Sequence, residues 1–276
     1  MHPILFSLGP FHIYSYGLCL ALAFVVSLSL LARDISRYIG PKMGLKPQQG
    51  FQLTFELGTW VILGSLLGAR IFFVWENHFL FEGGLWLDAF KIWQGGLVFY
   101  GGLIGGVLTG IFWARKQKWP LAYLLDISAP YILLGHAFGR VGCYLNGCCY
   151  GAVDFKHGMV FPGGEDQFPH LPTQLWELYG DLVLFSLLLW SRKFTIKYSY
   201  LTFSLYVLTY GVLRYIIEFW RRDWNKQYLG YFVSASQAVS ALTIFLAITA
   251  ILWIFFGSLK FDHHLETNKD TSKEKT

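Results

Sequence analysis

The sequence predicts an all-α, polytopic membrane protein with about seven transmembrane helices, and three observations support this. Hydrophobic residues make up 54% of the 276-residue chain. Asp, Glu, Lys and Arg together make up only 14%, against roughly 25% in a soluble domain. The apolar residues are gathered into long runs, separated by short loops that hold most of the basic residues. A chain of this composition has too few polar residues to cover a surface in water, so we expect lipid to cover it.

Seven apolar segments are long enough to cross a bilayer, which takes about 20 residues of α-helix. They run near residues 13–32, 52–75, 93–114, 121–141, 174–191, 199–220 and 232–257. The fourth is the least regular, because Asp126, Pro130 and His136 interrupt its apolar sequence. No internal repeat is evident in the sequence, which disfavours transporter folds built from inverted repeats.

The basic residues of the connecting loops predict the orientation of the chain. Fourteen of them follow the first, third, fifth and seventh helices, and five lie in loops on the opposite side. Basic residues are enriched in cytoplasmic loops, so the N-terminus is expected outside and the C-terminus in the cytoplasm. This distribution explains the net charge of +5 by membrane topology, and nucleic-acid binding is not expected.

One transmembrane helical domain is predicted at residues 1–260, with a loop on the outer side at about 142–172 that is rich in Gly, Pro and Cys. Residues 261–276 form a polar cytoplasmic tail. This tail is expected to be disordered, because it has too few apolar residues to form a core.

Three arginines lie within or at the ends of the apolar segments, namely Arg70, Arg140 and Arg214. A charge at the centre of a bilayer helix costs at least about 2.5–3.5 kcal/mol, so each is expected to have an internal partner or a function. On the sixth helix, Glu218 and Arg221 share one face with Arg214. This face is either a structural ion ladder or an anion site, because the planar arginine fork donates two parallel hydrogen bonds to a phosphate.

The third predicted helix is rich in glycines at intervals of four residues. Close packing against another helix is expected for Gly105, Gly106 and Gly110. Packing explains less well why Tyr100 lies directly before Gly101 and Gly102. A phenol beside bare backbone suits a ligand that approaches closely.

The densest group of polar and small residues lies at 135–151, where the fourth helix reaches the outer side. Arg140 and Asn146 are donors for an anionic headgroup, and His136 precedes Arg140 by one helical turn. The same segment holds Cys143, Cys148 and Cys149. They either form a disulfide on an oxidising outer face or fill space in a glycine-rich turn. Zinc is weakly supported, because the spacing of zinc-finger ligands is missing.

These segments resemble the prolipoprotein diacylglyceryl transferase family nearly end to end. Residues 139–151 resemble its signature G-R-x-G-N-F-x-N-G-E-x-x-G, and residues 171–177 resemble its H-P-[ST]-Q-L-Y-E element. Further similarity lies in the N-terminal Tyr-Gly motif, the G-x-R segment, the glycine-rich third helix and the sixth-helix motif, at residues 14–18, 68–77, 95–106 and 210–221. Six modest motifs in the family's order make the resemblance specific.

The resemblance implies a reaction and a location. The sn-1,2-diacylglyceryl group of phosphatidylglycerol is transferred to the lipobox cysteine thiol of a secreted preprolipoprotein. A thioether forms and glycerol phosphate leaves, in the first step of bacterial lipoprotein maturation. No metal or organic cofactor is expected, and the implied location is the bacterial cytoplasmic (inner) membrane, crossed several times. Oligomeric state is not indicated.

The residues above, taken with the resemblance, define a candidate site. The leaving phosphate gains negative charge in the transition state, so cations beside it are expected to stabilise that state. Catalytic roles are expected for Arg140, Arg214, Tyr100 and His136. Contacts with phosphatidylglycerol are expected from Arg140, Asn146, Tyr16, Arg70, Gly101, Gly102, Glu218 and Arg221.

The sequence departs from the family pattern at four positions. Tyr100 stands where the family often has a His that has been cast as the base for the thiol, and Leu171 stands for the His of the H-P-[ST]-Q element. Cys143 and Cys148 replace the first Asn and the Glu of the signature. Tyrosine is a poor base at neutral pH, because phenols ionise near about pH 10. We therefore hypothesise that His136 acts as the base; the alternative is that the arginines alone ionise the thiol.

These departures keep other functions open. One alternative is a family paralogue with the same lipid donor and a different acceptor. Another is a phospholipid-binding or transport protein without catalysis. A membrane thiol oxidoreductase is less consistent with the sequence, because no C-x-x-C pair is present.

Overall fold

The computed structural model describes residues 2–8, 11–81, 89–91, 95–161, 167–221 and 233–256. In these residues the chain forms seven α-helices, one for each apolar segment predicted from the sequence. They are α1 (Ser15–Asp34), α2 (Pro47–Glu76), α3 (Phe99–Lys116), α4 (Leu121–Asn146), α5 (Thr173–Thr195), α6 (Leu201–Ile217) and α7 (Ala235–Phe256). The all-α prediction is therefore confirmed for the described part of the chain.

Four helical stretches in the described residues are long and apolar enough to cross a membrane. They are Ser15–Met43, Pro47–Glu76, Leu121–Asn146 and Ala235–Phe256. The first includes α1 and the π- and 3-10-helical turns that follow it. On α7, large apolar side chains such as Phe245, Leu246 and Trp253 are exposed. An apolar face of this kind is suited to lipid.

Three predicted boundaries differ from the structure by five or six residues, and the first is the start of α2, which lies at Pro47 and not near residue 52. α3 begins at Phe99 and not near residue 93, because Gly95 and Gly96 have φ angles of 83° and 74°, which an α-helix does not contain. α4 continues to Asn146, past the predicted end at 141. The non-helical part of the outer loop therefore begins after Asn146 and not at about residue 142.

The chain divides into two compact units. One holds Met1–Leu31 and Leu125–Thr276, and the other holds Ala32–Leu124. The first unit also contains two antiparallel strand pairs that were not predicted: β1 (Ile4–Leu8) with β2 (Phe11–Tyr14), and β3 (Met159–Val160) with β4 (Pro169–His170). The predicted tail at 261–276 lies outside the described residues.

Asp126 does not interrupt α4 as its charge suggested; its carboxylate caps another helix. Its Oδ2 accepts a hydrogen bond from the Tyr200 N–H and its Oδ1 accepts one from the Phe203 N–H, both at 2.8 Å. The first N–H groups of α6 have no partner within their own helix. A carboxylate at this end satisfies two of them and is favoured by the helix dipole.

The substitution Asp126→Ala is expected to destabilise the protein by about 1–2 kcal/mol, the usual cost of losing an N-cap. Asp126→Asn retains one acceptor oxygen, so its loss of stability should be smaller. Thermal unfolding of the purified protein in detergent measures both. Unchanged unfolding temperatures for Asp126→Ala would contradict the capping role.

In the second unit, α2 and α3 pack through glycines, as the sequence predicted. A Cβ atom on Gly105 would contact the Gly64 carbonyl oxygen and would lie 3.0 Å from the Gly68 Cα, and one on Gly101 would lie 2.5 Å from the Gly68 carbonyl oxygen. Only glycine permits this approach of the two backbones. The packing interpretation of Gly105 is confirmed, and Gly101 takes part in the same contact.

Candidate active site

A buried carboxylate, Glu177 of α5, lies at the centre of the most strongly charged region of the first unit. Its Oε1 accepts a hydrogen bond from Arg140 Nη2 at 2.8 Å, and its Oε2 accepts one from Arg214 Nη1 at 3.2 Å. The Tyr210 hydroxyl donates to the same carboxylate at 3.4 Å. Glu177 therefore links α4, α5 and α6, and it places two guanidinium groups side by side.

A second carboxylate, Glu218, follows α6 and extends this network. Its Oε2 lies 2.9 Å from Arg214 Nη2 and 3.8 Å from Arg221 Nε. The Ser234 hydroxyl donates to its Oε1 at 2.9 Å. The predicted pairing of Glu218 with Arg214 and Arg221 is thus confirmed. We call Arg140, Arg214, Arg221, Glu177 and Glu218 the arginine–glutamate cluster.

The start of α7 is fixed to the same cluster. Ser234 and Gln237 form a reciprocal capping box, in which each backbone N–H donates to the other side chain at 3.1 Å. Arg214 Nε donates to the Ser236 hydroxyl at 3.1 Å. The Arg214 guanidinium is consequently held by three helices and has little freedom to turn.

The arginine–glutamate cluster carries three positive and two negative charges. The side chains of Glu177 and Glu218 are 2% and 5% exposed, whereas those of Arg140 and Arg214 are 20% and 17% exposed. The carboxylates are thus enclosed while part of each guanidinium stays accessible. Burial lowers the pKa of Arg221, and the charges of Arg214 and Arg140 lower it further. An anion bound at the accessible guanidiniums would relieve this repulsion.

The turn after α4 is fixed by its backbone. The Gly147 N–H donates to the Tyr144 carbonyl at 3.2 Å and the Cys148 N–H donates to the Cys143 carbonyl at 3.1 Å. These two bonds form a Schellman motif, whose left-handed residue is usually glycine, and Gly147 has φ 73°. The motif brings the side chain of Cys148, the residue after Gly147, close to the side chain of Cys143, four residues before Gly147.

The next residues are tied to α5. The Gln174 amide donates to the Cys148 carbonyl at 2.7 Å, and the Thr173 hydroxyl donates to the Cys149 carbonyl at 3.3 Å. Cys149 has φ 65°, a conformation that residues other than glycine seldom adopt. A Cβ on Gly151 would contact the Trp220 carbonyl oxygen, so the strand-like pairing of Gly151 with Arg221 requires glycine.

The three cysteines of this turn are free thiols whose sulfur atoms lie within 4.8 Å of one another. The structure therefore does not contain the disulfide that was one of the two interpretations of these cysteines. Hydrogen bonds from Cys143 and Cys149 lower the pKa of Cys148, and the Asn146 side chain contributes a further hydrogen bond to the same sulfur.

Two more predicted site residues lie in the first unit. Tyr16, in the first turn of α1, is 40% exposed and lies against the end of α4, because a Cβ atom on Gly142 would be 3.1 Å from its Cδ2. The ring centroid of His136 lies 4.8 Å from that of Tyr210. Its buried Nδ1 has no hydrogen-bond partner among the described residues. The structure thus groups Tyr16, His136, Arg140, Asn146, Arg214, Glu218 and Arg221 in one unit.

The remaining predicted residues belong to the second unit. Arg70 is buried and donates to the carbonyl oxygens of Ala89, Gly95 and Gly96 at 2.6, 2.7 and 3.1 Å. These bonds fix the segment that leads into α3. Tyr100 is 49% exposed in the first turn of that helix. The catalytic role of Tyr100 and the lipid contacts of Arg70, Gly101 and Gly102 stay predictions.

Sequence reasoning missed Glu177 as a site residue. Its partners Arg140 and Arg214 are each 37 positions away on other helices, so no helical spacing connects them. The available signal was an acidic residue, two positions after Leu175, at the end of the H-P-[ST]-Q-L-Y-E-like element. A buried acid and a buried arginine on different helices predict one another when neither has a local partner.

Known proteins are similar to this chain over nearly its whole length. The family described as prolipoprotein diacylglyceryl transferase matches residues 3–253. A phosphatidylglycerol–prolipoprotein diacylglyceryl transferase of Clostridium tetani is 32% identical over 254 residues, which are 90% of this chain and 96% of that protein.

Proteins of the same name in two other bacteria are similar over comparable lengths. The one from Francisella tularensis subsp. novicida is 32% identical over 94% of this chain and 96% of its own. The one from Wolbachia pipientis is 31% identical over 95% and 96%. A family match over residues 3–253, with relatives at 31–32% identity over nearly the whole chain, shows that the protein belongs to the prolipoprotein diacylglyceryl transferase family.

Proposed function

We propose that this protein transfers the sn-1,2-diacylglyceryl group of phosphatidylglycerol to the lipobox cysteine of preprolipoproteins. Its membership of the family supports the reaction, and its apolar helices support a membrane enzyme that meets its lipid donor in the bilayer. One observation of the structure carries the proposal. Two partly accessible arginines, Arg140 and Arg214, are held side by side on one buried carboxylate.

The accessible guanidiniums suit the phosphodiester of the donor. Arginine presents a planar set of donors that matches two phosphate oxygens. Glu177 accepts a hydrogen bond from one donor atom of Arg140, Nη2, and the other N–H groups of that guanidinium can donate to a ligand. Because the side chains are fixed before the lipid arrives, little reorganisation is needed when charge develops on the phosphate.

The reaction follows from this placement. The thiolate of the acceptor attacks the glyceryl carbon that bears the phosphate, and the carbon–oxygen bond breaks as the carbon–sulfur bond forms. The departing glycerol phosphate gains one negative charge. Arg140 and Arg214 stabilise this charge, and Arg221 adds a third positive charge behind them.

We further propose that all seven helices cross the bacterial cytoplasmic membrane, with the N-terminus outside. The excess of basic residues in the loops after α1, α3 and α5 supports this orientation. It would place the turn after α4 and the arginine–glutamate cluster near the outer side. Secreted preprolipoproteins would then reach the site with their lipobox at the membrane surface.

The hypothesis that His136 acts as the base predicts a change in the pH dependence of the rate. His136→Phe keeps an aromatic ring against Tyr210 and removes the ionisable group. We expect a lower rate and the loss of one ionisation from the pH–rate profile. If the rate and the profile of His136→Phe match those of wild type, His136 is not the base.

The proposed acceptor is tested with purified protein in detergent, phosphatidylglycerol labelled in its diacylglyceryl group and a synthetic lipobox peptide. We expect label on the cysteine peptide and none on the same peptide with serine in place of cysteine. No transfer by well-folded protein would contradict the proposal and would favour a paralogue with another acceptor.

A further inference from the structure

The three cysteines of the turn after α4 form a compact group of sulfur atoms. The Sγ atoms of Cys143, Cys148 and Cys149 all lie within 4.8 Å of one another, and those of Cys148 and Cys149 are 3.7 Å apart. Zinc–sulfur bonds are about 2.3 Å long in tetrahedral sites, which places neighbouring ligand sulfurs about 3.8 Å apart. The observed separation fits a metal held by thiolates.

The positions of these sulfurs do not depend on an ion. The Schellman motif at Gly147 brings Cys148 back towards Cys143. Gln174 and Thr173 of α5 then hold the carbonyl groups of Cys148 and Cys149. A set of ligands fixed by its own backbone binds a metal without first paying the entropy of ordering a loop.

A disulfide accounts for the arrangement less well. Cys148 and Cys149 are adjacent, and adjacent Cα atoms are about 3.8 Å apart across a trans peptide bond, below the range of about 4.4–6.8 Å usual for disulfides. A bond between Cys143 and Cys148 would leave Cys149 beside it as an unexplained third thiol. A metal uses all three sulfur atoms.

We propose that Cys143, Cys148 and Cys149 bind a soft divalent cation such as Zn²⁺, and that the thiol of the acceptor peptide becomes its fourth ligand. Three protein ligands with one open position are typical of catalytic zinc sites, and a thiol that binds such an ion loses its proton. The role of the fourth ligand rests on the proposed function, whereas metal binding does not.

The site lies beside the arginines that are proposed to hold the leaving group. Cys143 follows Arg140 by three residues on α4, so both lie on one face of that helix. The peptide thiol gives up its proton on binding, to His136 where that residue acts as the base and otherwise to solvent. Its sulfur then supplies the electron pair of the new carbon–sulfur bond, and the pair of the broken carbon–oxygen bond leaves with glycerol phosphate.

Two of the three proposed ligands are residues in which the chain differs from the family signature. Cys143 and Cys148 stand where the family signature has Asn and Glu. The family resemblance implies no metal, so the site would be particular to chains with this turn. Binding to the metal would also ionise the acceptor thiol, a step for which Tyr100 is a poor base.

The first test measures metal content without any activity assay. Wild type and Cys148→Ser are purified under reducing conditions, incubated with Zn²⁺ and separated from free ion. Cys19→Ser is the matched control, because Cys19 is a buried thiol of α1 outside the sulfur group. We expect about one zinc ion per chain in wild type and Cys19→Ser, and loss of at least about ninety per cent of it in Cys148→Ser.

Two results would overturn the metal site. Folded wild type that retains no zinc contradicts it, and so does a variant Cys148→Ser that retains as much as wild type. Mass spectrometry of protein purified without reductant is the companion measurement. A complete disulfide between Cys143 and Cys148 there would also overturn the proposal.

The second test replaces Zn²⁺ with Co²⁺, whose sulfur-to-metal absorption grows with the number of bound thiolates. Adding the cysteine lipobox peptide is expected to raise that absorption by about a third, from three thiolates to four, and the serine peptide is expected to leave it unchanged. No increase would contradict the fourth ligand. Lipid transfer is measured on the same samples: wild-type transfer rates in Cys148→Ser would refute the metal role while the proposed function stands.

Discussion

Arg140→Ala and Arg214→Ala are each expected to lower the rate of diacylglyceryl transfer by about a hundredfold or more, the usual loss when a preorganised donor to a developing anion is removed. Each substitution removes a positively charged side chain that is proposed to lie beside the leaving phosphate. It also removes one of the two guanidinium groups that Glu177 holds in place. The rate of label transfer to the lipobox peptide at saturating phosphatidylglycerol measures the effect.

Arg192→Ala is the matched control for these variants. Arg192 is also a partly buried arginine of the first unit, and it donates to the Ile127 carbonyl at 3.3 Å, outside the arginine–glutamate cluster. Its transfer rate should stay close to that of wild type. Arg140→Lys keeps the charge but loses the planar set of donors, so its rate should lie between wild type and Arg140→Ala. A rate for Arg140→Ala above half of wild type would contradict the role of the cluster.

Glu177→Gln is expected to destabilise the protein by about 3–5 kcal/mol, the range measured when one partner of a buried ion pair is removed. The glutamine keeps the shape of the side chain, but it leaves Arg140 and Arg214 without the carboxylate between them. Their mutual repulsion should also turn them from the phosphate-binding position. The unfolding temperature and the transfer rate should therefore both decrease in Glu177→Gln.

Glu56→Gln provides the comparison for Glu177→Gln. Glu56 belongs to the second unit and accepts one hydrogen bond from Trp113 Nε1 at 3.1 Å. Losing a single bond of this kind costs about 0.5–1.5 kcal/mol. Glu177→Asp retains the charge and should recover part of the stability. Equal losses for Glu177→Gln and Glu56→Gln would mean that Glu177 is an ordinary hydrogen-bond acceptor.

The helices were predictable because lipid imposes a simple pattern on a sequence. A helix that crosses a bilayer needs one long apolar run, and each of the seven predicted apolar runs contains an α-helix in the described residues. The pairing of Arg214 with Glu218 was predictable for a similar reason, since residues four apart on a helix are neighbours. Local spacing was sufficient in both cases.

The remaining parts depended on contacts between distant residues. The charge of Asp126 predicted an interruption of α4. In the structure its carboxylate caps α6, which begins more than seventy residues further along the chain. Glu177 meets its arginines only after three helices have packed. The grouping of the cysteine sulfurs required the Schellman turn and two side chains of α5. No period in the sequence encodes contacts of this kind.

Diacylglyceryl transfer is distinguished from other reactions of the lipid with phosphatidylglycerol that carries one label in its diacylglyceryl group and a second label in its phosphorus. Purified wild-type protein and the cysteine lipobox peptide are incubated with this lipid, and the peptide and the soluble products are separated. The account predicts that the first label becomes attached to the peptide as a thioether and that the phosphorus label is released as glycerol phosphate. Phosphorus label on the peptide, or no transfer of either label by well-folded protein, would contradict it.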